Sequence, residues 1–383
     1  MNLSRRKPSN GTTTSKVVCA IAFCLFVFSY IHFLQSDLLA VAQHSLSGGA
    51  THYNHTVGTI LITIVLLLLQ MAVYALTQIH GSRHALTYFP SLLVLTVITS
   101  MMPDTNGDFS FGVWPWLAPL LFVVWLLAVY VTKKKPYGKP SGKGILARSV
   151  WVNLFTMCAM FVFVGAAGNS NDVLHYRMHS ENCLLHDDYD GALSAGSATL
   201  NTDNSLTMLR AYALAHKGLL GEKLFTYPLC GKSDGLLPLS SSTHCLIYPT
   251  DSIYRFLGAR PASGMNTMDY LKALLRTHKA TDAVKDYLLC GYLMDRDLDS
   301  FAQLLPRFYK IDNNLPRHYR EALTLYTHLR SNPCVTYLDD VMDTDFDDLQ
   351  ELEKQYTDKQ AKRLAVFDQY WGTYWWYYEY GTE

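Results

Sequence analysis

Acidic residues are almost missing from the first 169 positions, where 3 Asp and Glu stand against 11 Lys and Arg. Residues 170–383 hold the opposite balance, 21 Lys and Arg against 29 Asp and Glu, so local charges of +8 and −8 cancel to a formal zero. Only 17% of the chain is charged, against 49% hydrophobic. A single water-soluble globule does not sort its charge in this way. No segment is strongly basic enough to mark a nucleic-acid-binding domain, so nucleic acid is excluded as a partner. Sustained alternation of apolar and polar residues is also lacking, which argues against a sheet.

What the first half does have is long apolar runs, at roughly 17–34, 57–79, 85–101, 113–131 and 145–167. Each approaches the ~20 helical residues needed to cross ~30 Å of hydrocarbon. Lipid offers no partner for a bare backbone amide, so helices are expected. The lipid bilayer is thus the first implied partner. Basic residues then sort the loops. Arg5, Arg6, Lys7 and Lys16 precede the first run; Arg83 lies between the second and third; Lys133, Lys134, Lys135, Lys139, Lys143 and Arg148 lie between the fourth and fifth. Loops 41–56 and 102–112 contain no Lys or Arg. The positive-inside rule places the N-terminus in the cytoplasm and, after five crossings, residues 170–383 on the periplasmic face. Ala40-Val41-Ala42 resembles a signal-cleavage site but lies well past the apolar run, so the first helix is expected to be retained.

From residue 170 the pattern changes to amphipathic helices with short polar turns. They are expected near 172–187, 189–199, 204–217, 267–277, 281–294, 298–309, 317–330 and 346–379, with Pro306 dividing one of them. The fold class is therefore all-α: a transmembrane domain over 1–169 followed by tetratricopeptide-like hairpins over 170–383. Asp188-Tyr189-Asp190-Gly191-Ala192-Leu193 and Asp297-Leu298-Asp299-Ser300-Phe301 fit the turn that opens the second helix of such a hairpin, without a strict 34-residue period. A Pro-, Gly- and Ser-rich loop, 226–266, interrupts the helices. Its length points either to a binding groove or to an ordered packing loop.

Leu214-Ala215-His216-Lys217-Gly218-Leu219-Leu220, Asp297-Leu298-Asp299, Leu304-Leu305-Pro306 and Pro316-Arg317-His318-Tyr319 carry a resemblance. With the Gly372-Thr373-Tyr374-Trp375-Trp376-Tyr377-Tyr378 ending, they resemble an uncharacterised family of bacterial inner-membrane proteins, a domain of unknown function. The resemblance implies this architecture and location. It implies no reaction and no catalytic residues.

Candidate chemistry is sparse, and no cofactor is implied. Asp37 follows the first apolar run. An acidic residue in the first outward loop is a feature of enzymes that use lipid-linked sugars, although a helix-end residue at the interface has the same position. His44, His52 and His55, then His175, His179 and His186, accumulate on the expected outer face. His175 and His179 share a helix face with Cys183 one turn on, a spacing able to give two of a metal's ligands. Gln35, Gln70 and Asn153 are candidates for bonds between helices. Residues 138–144 evoke a phosphate loop but are one residue short and lack the following hydroxyl. Asp343, Asp345, Asp347 and Glu351 evoke a calcium loop, yet Asp348 replaces its glycine and Lys354 its bidentate acid. Of eight cysteines, Cys19, Cys24 and Cys158 read as packing groups; Cys230 with Cys245 is the best disulfide guess across the long loop. The tail from Tyr370 to Tyr380 carries eight aromatics in eleven residues, suited to capping the last hairpin, docking on the bilayer, or stacking on a sugar or partner.

The function expected from these residues is a membrane scaffold or anchor whose outward helical domain binds a protein or peptide in an envelope assembly. The alternative is an envelope enzyme acting on a lipid-linked glycan through Asp37.

Overall fold

The computed structural model of the protein describes residues 10–103, 109–134 and 147–381. Those residues are helical apart from loops and a short antiparallel pairing of β1 (Met102–Pro103) with β2 (Phe109–Ser110). Contacts divide the chain into two compact units, one ending at Asn171 and one starting at Asp172. The basic residues Arg5, Arg6, Lys7, Lys135, Lys139 and Lys143, and the 138–144 segment, lie outside the described residues.

In the first unit α1 (Asn10–Ser29), a π-helical turn (Tyr30–Gln35) and α2 (Ser36–Leu46) run on as one rod. With α3 (His55–Thr77), α5 (Trp114–Lys134) and α6 (Arg148–Ala167), this makes four helices long and apolar enough to cross a membrane. Val17, Ile21, Leu25, Leu61, Val65 and Leu68 are exposed, whereas Gln70, Ser91, Thr96 and Asn153 are buried. Apolar faces outside and polar groups inside invert the pattern of a soluble bundle; they suit hydrocarbon as the surrounding solvent. Ala40, Val41 and Ala42 are buried within α2.

The expectation of five regular spans fails at the third run. Residues Gly81–Tyr88 form a 3-10 segment, and only Phe89–Thr99 (α4) is α-helical. Pro90 supplies the reason. It lacks an N–H for the carbonyl four residues back, Leu86, and its ring crowds that carbonyl. The Leu86 oxygen accepts the Phe89 amide instead and, at 2.8 Å, the indole of Trp125 on α5. Asn153 on α6 holds the start of the segment, accepting from Ala85 N at 2.9 Å and donating to Gly81 O at 2.8 Å.

Hydrogen bonds also fix which ends of the elements lie level. At one end Ser15 meets Ser149, Lys16 donates to Tyr74, and Arg83 donates to Thr132 O. At the other, Gln35 donates to Asn169 O at 3.1 Å, Asn169 N to Thr99 O at 2.8 Å, and Asn169 Nδ2 to Met101 O at 3.2 Å. The 3-10 segment and α4 therefore cover the same depth as α6. With ~2.0 Å of rise per 3-10 residue and ~1.5 Å per α residue, they extend roughly 32 Å.

The second unit begins with α7 (Asp172–Leu185), α8 (Tyr189–Ser194), α9 (Asn204–His216) and α10 (Leu220–Lys223). After a long insertion containing α11 (Thr250–Leu257) come α12 (Thr267–Arg276), α13 (Ala283–Met294), α14 (Leu298–Leu304) and α15 (Arg317–Leu329). The chain closes with α16 (Asp340–Gln355), α17 (Lys359–Tyr370) and α18 (Tyr374–Tyr380). One apolar core runs through them, from Leu184 to Tyr377.

A common turn recurs between these helices. Asp187, Gly218, His278 and Arg296 are left-handed. The next amide in each case bonds five residues back: Asp188 to Cys183, Leu219 to Leu214, Lys279 to Leu274, Asp297 to Tyr292. This is the Schellman closure of a helix end. Asp188 and Asp297 then cap the following helices by accepting from Gly191 N at 2.9 Å and Ser300 N at 3.0 Å. The two segments paired by sequence are thus one structural device used twice.

Three expected helices change length. The helix expected at 189–199 stops at Ser194, because Gly196 turns left-handed and the Arg210 guanidinium takes the Ala195 and Gly196 carbonyls, each at 3.1 Å. That at 298–309 becomes α14 plus a 3-10 turn at Leu305–Arg307 around Pro306. The one expected at 346–379 is split into α16, α17 and α18, with Asp358 and Thr373 as new N-caps.

Candidate functional site

The insertion 226–266 is ordered rather than open. Its anchor is the fully buried Glu181 of α7, whose carboxylate accepts the amides of Leu246 (2.8 Å), Ile247 (2.7 Å) and Tyr248 (2.9 Å). Arg177, one turn earlier, donates to His244 O at 3.1 Å and pairs with Asp203 at 3.3 Å. Burial pushes the Glu181 carboxyl above its usual range, against the pull of the three amides and Arg177. Residues 244–248 of the insertion therefore close over α7 as packing, while its first residues, Tyr227, Pro228 and Leu229, line a cleft.

A cleft of about 350 Å³ opens where the chain just after α10 faces α17 and α18. Leu200, Thr202, Phe225, Tyr227, Pro228 and Leu229 form one side; Arg363, Leu364, Phe367, Trp371, Trp376 and Tyr380 form the other. This lies within the usual range of ligand pockets, about 300–1,000 Å³.

The aromatic tail builds the cleft through two faces of α18. Thr373 caps the helix, accepting from Trp376 N at 3.2 Å. The inner face is bolted to the core: Tyr374 OH donates to Leu293 O at 3.2 Å, Tyr377 OH to Met294 O at 2.9 Å, and Trp375 Nε1 to Glu321 O at 2.7 Å. Buried Glu321 on α15 also accepts Tyr374 N at 2.6 Å and Arg317 Nε at 2.7 Å, and its other contact is His318 Nδ1 at 2.9 Å. With both oxygens engaged, Glu321 serves as an anchor for α18.

The outer face carries Trp376 and Tyr380, four residues apart. Trp376 meets Trp371 at a centroid distance of 4.6 Å and 73°, an edge-to-face pair, while Phe367 lies 4.9 Å from Trp371. On the opposite wall, Arg210 sits 5.2 Å from the Tyr227 ring. Arg210 is wholly buried, and burial lowers its pKa to about 10, so it keeps its charge at neutral pH beneath the cleft wall. Trp376 Nε1 is buried without a hydrogen-bond partner. No carboxylate or carboxamide is among the lining residues.

The residues singled out by sequence are scattered. Asp37 is half-buried at the start of α2, two residues past the π turn. A smaller cavity of about 190 Å³ at that end of the first unit is lined by Ser100, Met102, Trp114 and Asn169, among others, and not by Asp37. His44, His52 and His55 belong to the first unit; His175, His179 and His186 belong to the second. His179 Nε2 lies 3.6 Å from Cys183 Sγ, but among the described residues no three His, Cys, Asp or Glu side chains gather as a metal set. The Cys230–Cys245 bond is absent and both thiols are free. Cys230 is exposed near the start of the insertion, whereas Cys245 is half-buried beside Glu181, its thiol bonded to Thr250. Gln35, Gln70 and Asn153 all bond between elements, Gln70 through Thr87 at 2.9 Å.

Sequence reading found the aromatic tail and, in the 226–266 loop, the segment that carries Tyr227, Pro228 and Leu229; it missed Leu200, Thr202 and Phe225 and the buried Arg210, Glu181 and Glu321. Nothing local marks those three charged residues, since each is defined by partners elsewhere in the chain.

Residues 262–381 match a family of unknown function (DUF6057). The match takes in α17 and α18, one wall of the cleft, and leaves out residues 200–229 and the first unit. No curated protein and no solved structure matches the chain.

Proposed function

We propose that the chain is a bacterial inner-membrane scaffold whose tetratricopeptide-like domain stands in the periplasm and binds a protein or peptide segment of an envelope assembly. The observation that carries the reading is the aromatic cleft, apolar along its length with a few donors, on a domain tethered to a membrane anchor. The side assignment draws on the level ends of the first unit. Lys16, Arg83, Lys133, Lys134 and Arg148 belong to the end marked by Ser15, Ser149 and Thr132, the end the positive-inside rule assigns to the cytoplasm. If the 3-10 segment and α4 count as a crossing, the chain leaves the bilayer on the other side.

The test places a photo-crosslinking amino acid at Leu364, an exposed residue of the cleft, in the full chain in cells. Light is expected to produce a protein adduct that vanishes with Tyr227→Ala and Trp371→Ala together. The same probe at Leu338, exposed and outside the cleft lining, is expected to give none. No adduct at Leu364 would reject peptide binding.

The reading as an enzyme on a lipid-linked glycan draws on the π turn two residues before Asp37, since such turns recur at functional sites. Normal glycans in an Asp37→Asn strain with unchanged protein abundance would remove it.

A further inference from the structure

We infer that the basic end of the first unit holds the phosphate of an anionic phospholipid, taken by Lys16 and His80 where both meet the hydroxyl of Tyr74. The site belongs to the membrane anchor and goes beyond the peptide-binding reading, which it does not need.

Charge is the first ground. The carboxylates of the first 169 residues are Asp37, Asp104 and Asp108. Asp37 lies two residues past Gln35, which bonds Asn169 at the far end of the unit, and Asp104 and Asp108 fall in sequence between Met101, another partner of Asn169, and α5. Cations gather at the near end. Ser15 meets Ser149, which sets Lys16 beside the start of α6 and its Arg148; Arg83 donates to Thr132 O, next to Lys133 and Lys134. Residues 1–36, 38–103 and 109–169, which carry all of these cations, contain no Asp or Glu. The anchor thus concentrates positive charge at an end where its own sequence places no carboxylate.

Geometry is the second. Lys16 of α1 donates to Tyr74 OH of α3 and lies 4.4 Å from the centre of the Tyr74 ring. His80, which leads into the 3-10 segment, places Nδ1 3.1 Å from the same hydroxyl, and the His84 ring meets the Tyr74 ring edge-on at 5.2 Å. Three elements therefore bring an ammonium and an imidazole to one point. An ammonium has three donors, of which Tyr74 takes one. Lys16 is half-buried and His80 is exposed, so a ligand can reach both. The neighbouring surface selects a lipid over a soluble phosphate. Val17, next to Lys16, and Met71, one turn from Tyr74 along α3, are exposed apolar side chains against which acyl chains can lie. Basic pockets between membrane helices take anionic headgroups in this way. A zwitterionic headgroup carries its own cation, and this end of the chain supplies no carboxylate to receive it.

The experiment uses the full chain in a non-ionic detergent and counts bound ligand by native mass spectrometry during titration with phosphatidylglycerol, phosphatidylcholine or glycerol 3-phosphate. Phosphatidylglycerol is expected to bind saturably and at lower concentration than phosphatidylcholine, with glycerol 3-phosphate weaker than either. Lys16→Gln should weaken phosphatidylglycerol binding about fivefold, the worth of one basic side chain beside anionic lipid, and Lys16→Arg should restore it. His80→Gln, at an exposed position, should weaken it in the same direction and carries the test if Lys16→Gln does not fold. Lys359→Gln, which removes an exposed charge from the second unit, should change nothing. Phosphatidylglycerol affinity that ignores both Lys16→Gln and His80→Gln overturns the inference, as does equal affinity for phosphatidylcholine. Glycerol 3-phosphate binding as tightly as phosphatidylglycerol would make the ligand a soluble phosphate ester and overturn the lipid assignment. None of these outcomes bears on the Leu364 adduct, so the peptide-binding reading stands or falls separately.

Discussion

Glu181 shows how a single buried side chain organises forty residues of insertion, and how invisible that is in a linear sequence. Its three amide donors come from residues more than sixty positions away. Replacing it with Gln removes a charged acceptor and leaves amides without full partners. About 1–3 kcal/mol of stability should be lost, read as a lower Tm of the full chain in detergent. The pH dependence carries a sign. The folded-state pKa lies above the ordinary 4.5, so the folded protein holds this proton more tightly than the unfolded chain does. Stability from this group is then greatest at low pH and declines as pH rises from about 4.5 through the folded value. The gap between wild type and Glu181→Gln should narrow over that window. A gap that widens there would mean that the amides and Arg177 outweigh burial.

At the scale of elements, the sequence made most helices readable because apolar period and cap residues agree. Asp188, Asp203, Asn266 and Asp297 each sit where a helix starts and each accepts the expected amide. It misled where distant side chains decide the outcome. Residues 85–101 are apolar enough for a regular span, yet Pro90 forbids one bond and Trp125 and Asn153 make a 3-10 segment tolerable. The aromatic tail read as one long helix because nothing local says that Glu321 takes the amide of Tyr374. For the third run this dependence is measurable. Asn153→Leu should cost about 1–2 kcal/mol, since two bonds to backbone are lost inside the bundle, and Trp125→Phe about 1 kcal/mol. Both hold the same short segment, so the double mutant should lose less than the sum of the two. Thermal unfolding of the four proteins in one detergent checks this; strict additivity would mean that the segment does not respond as a unit.

For the whole molecule, the side on which the helical domain stands depends on whether residues 81–101 count as a crossing. Four crossings return the chain to the side of Lys16; five deliver it to the other side. The proposed topology counts five, drawing on the hydrogen bonds that set Ala85 beside Asn153 and Thr99 beside Asn169. Its roughly 32 Å reach exceeds the ~30 Å hydrocarbon core, although a purely α-helical segment of that many residues would fall slightly short. Tighter 3-10 winding thus supplies the length. An alkaline phosphatase fusion after Glu383, active only outside the cytosol, should be active in the full chain. Deleting 81–101 removes one crossing and with it Arg83, leaving the basic loop 132–148 in conflict with the N-terminal charges. That variant should lose phosphatase activity, and a green fluorescent fusion at the same point should gain signal. Equal phosphatase activity in both would mean that the run never crosses, and the periplasmic assignment would have to be abandoned along with the peptide partner placed there.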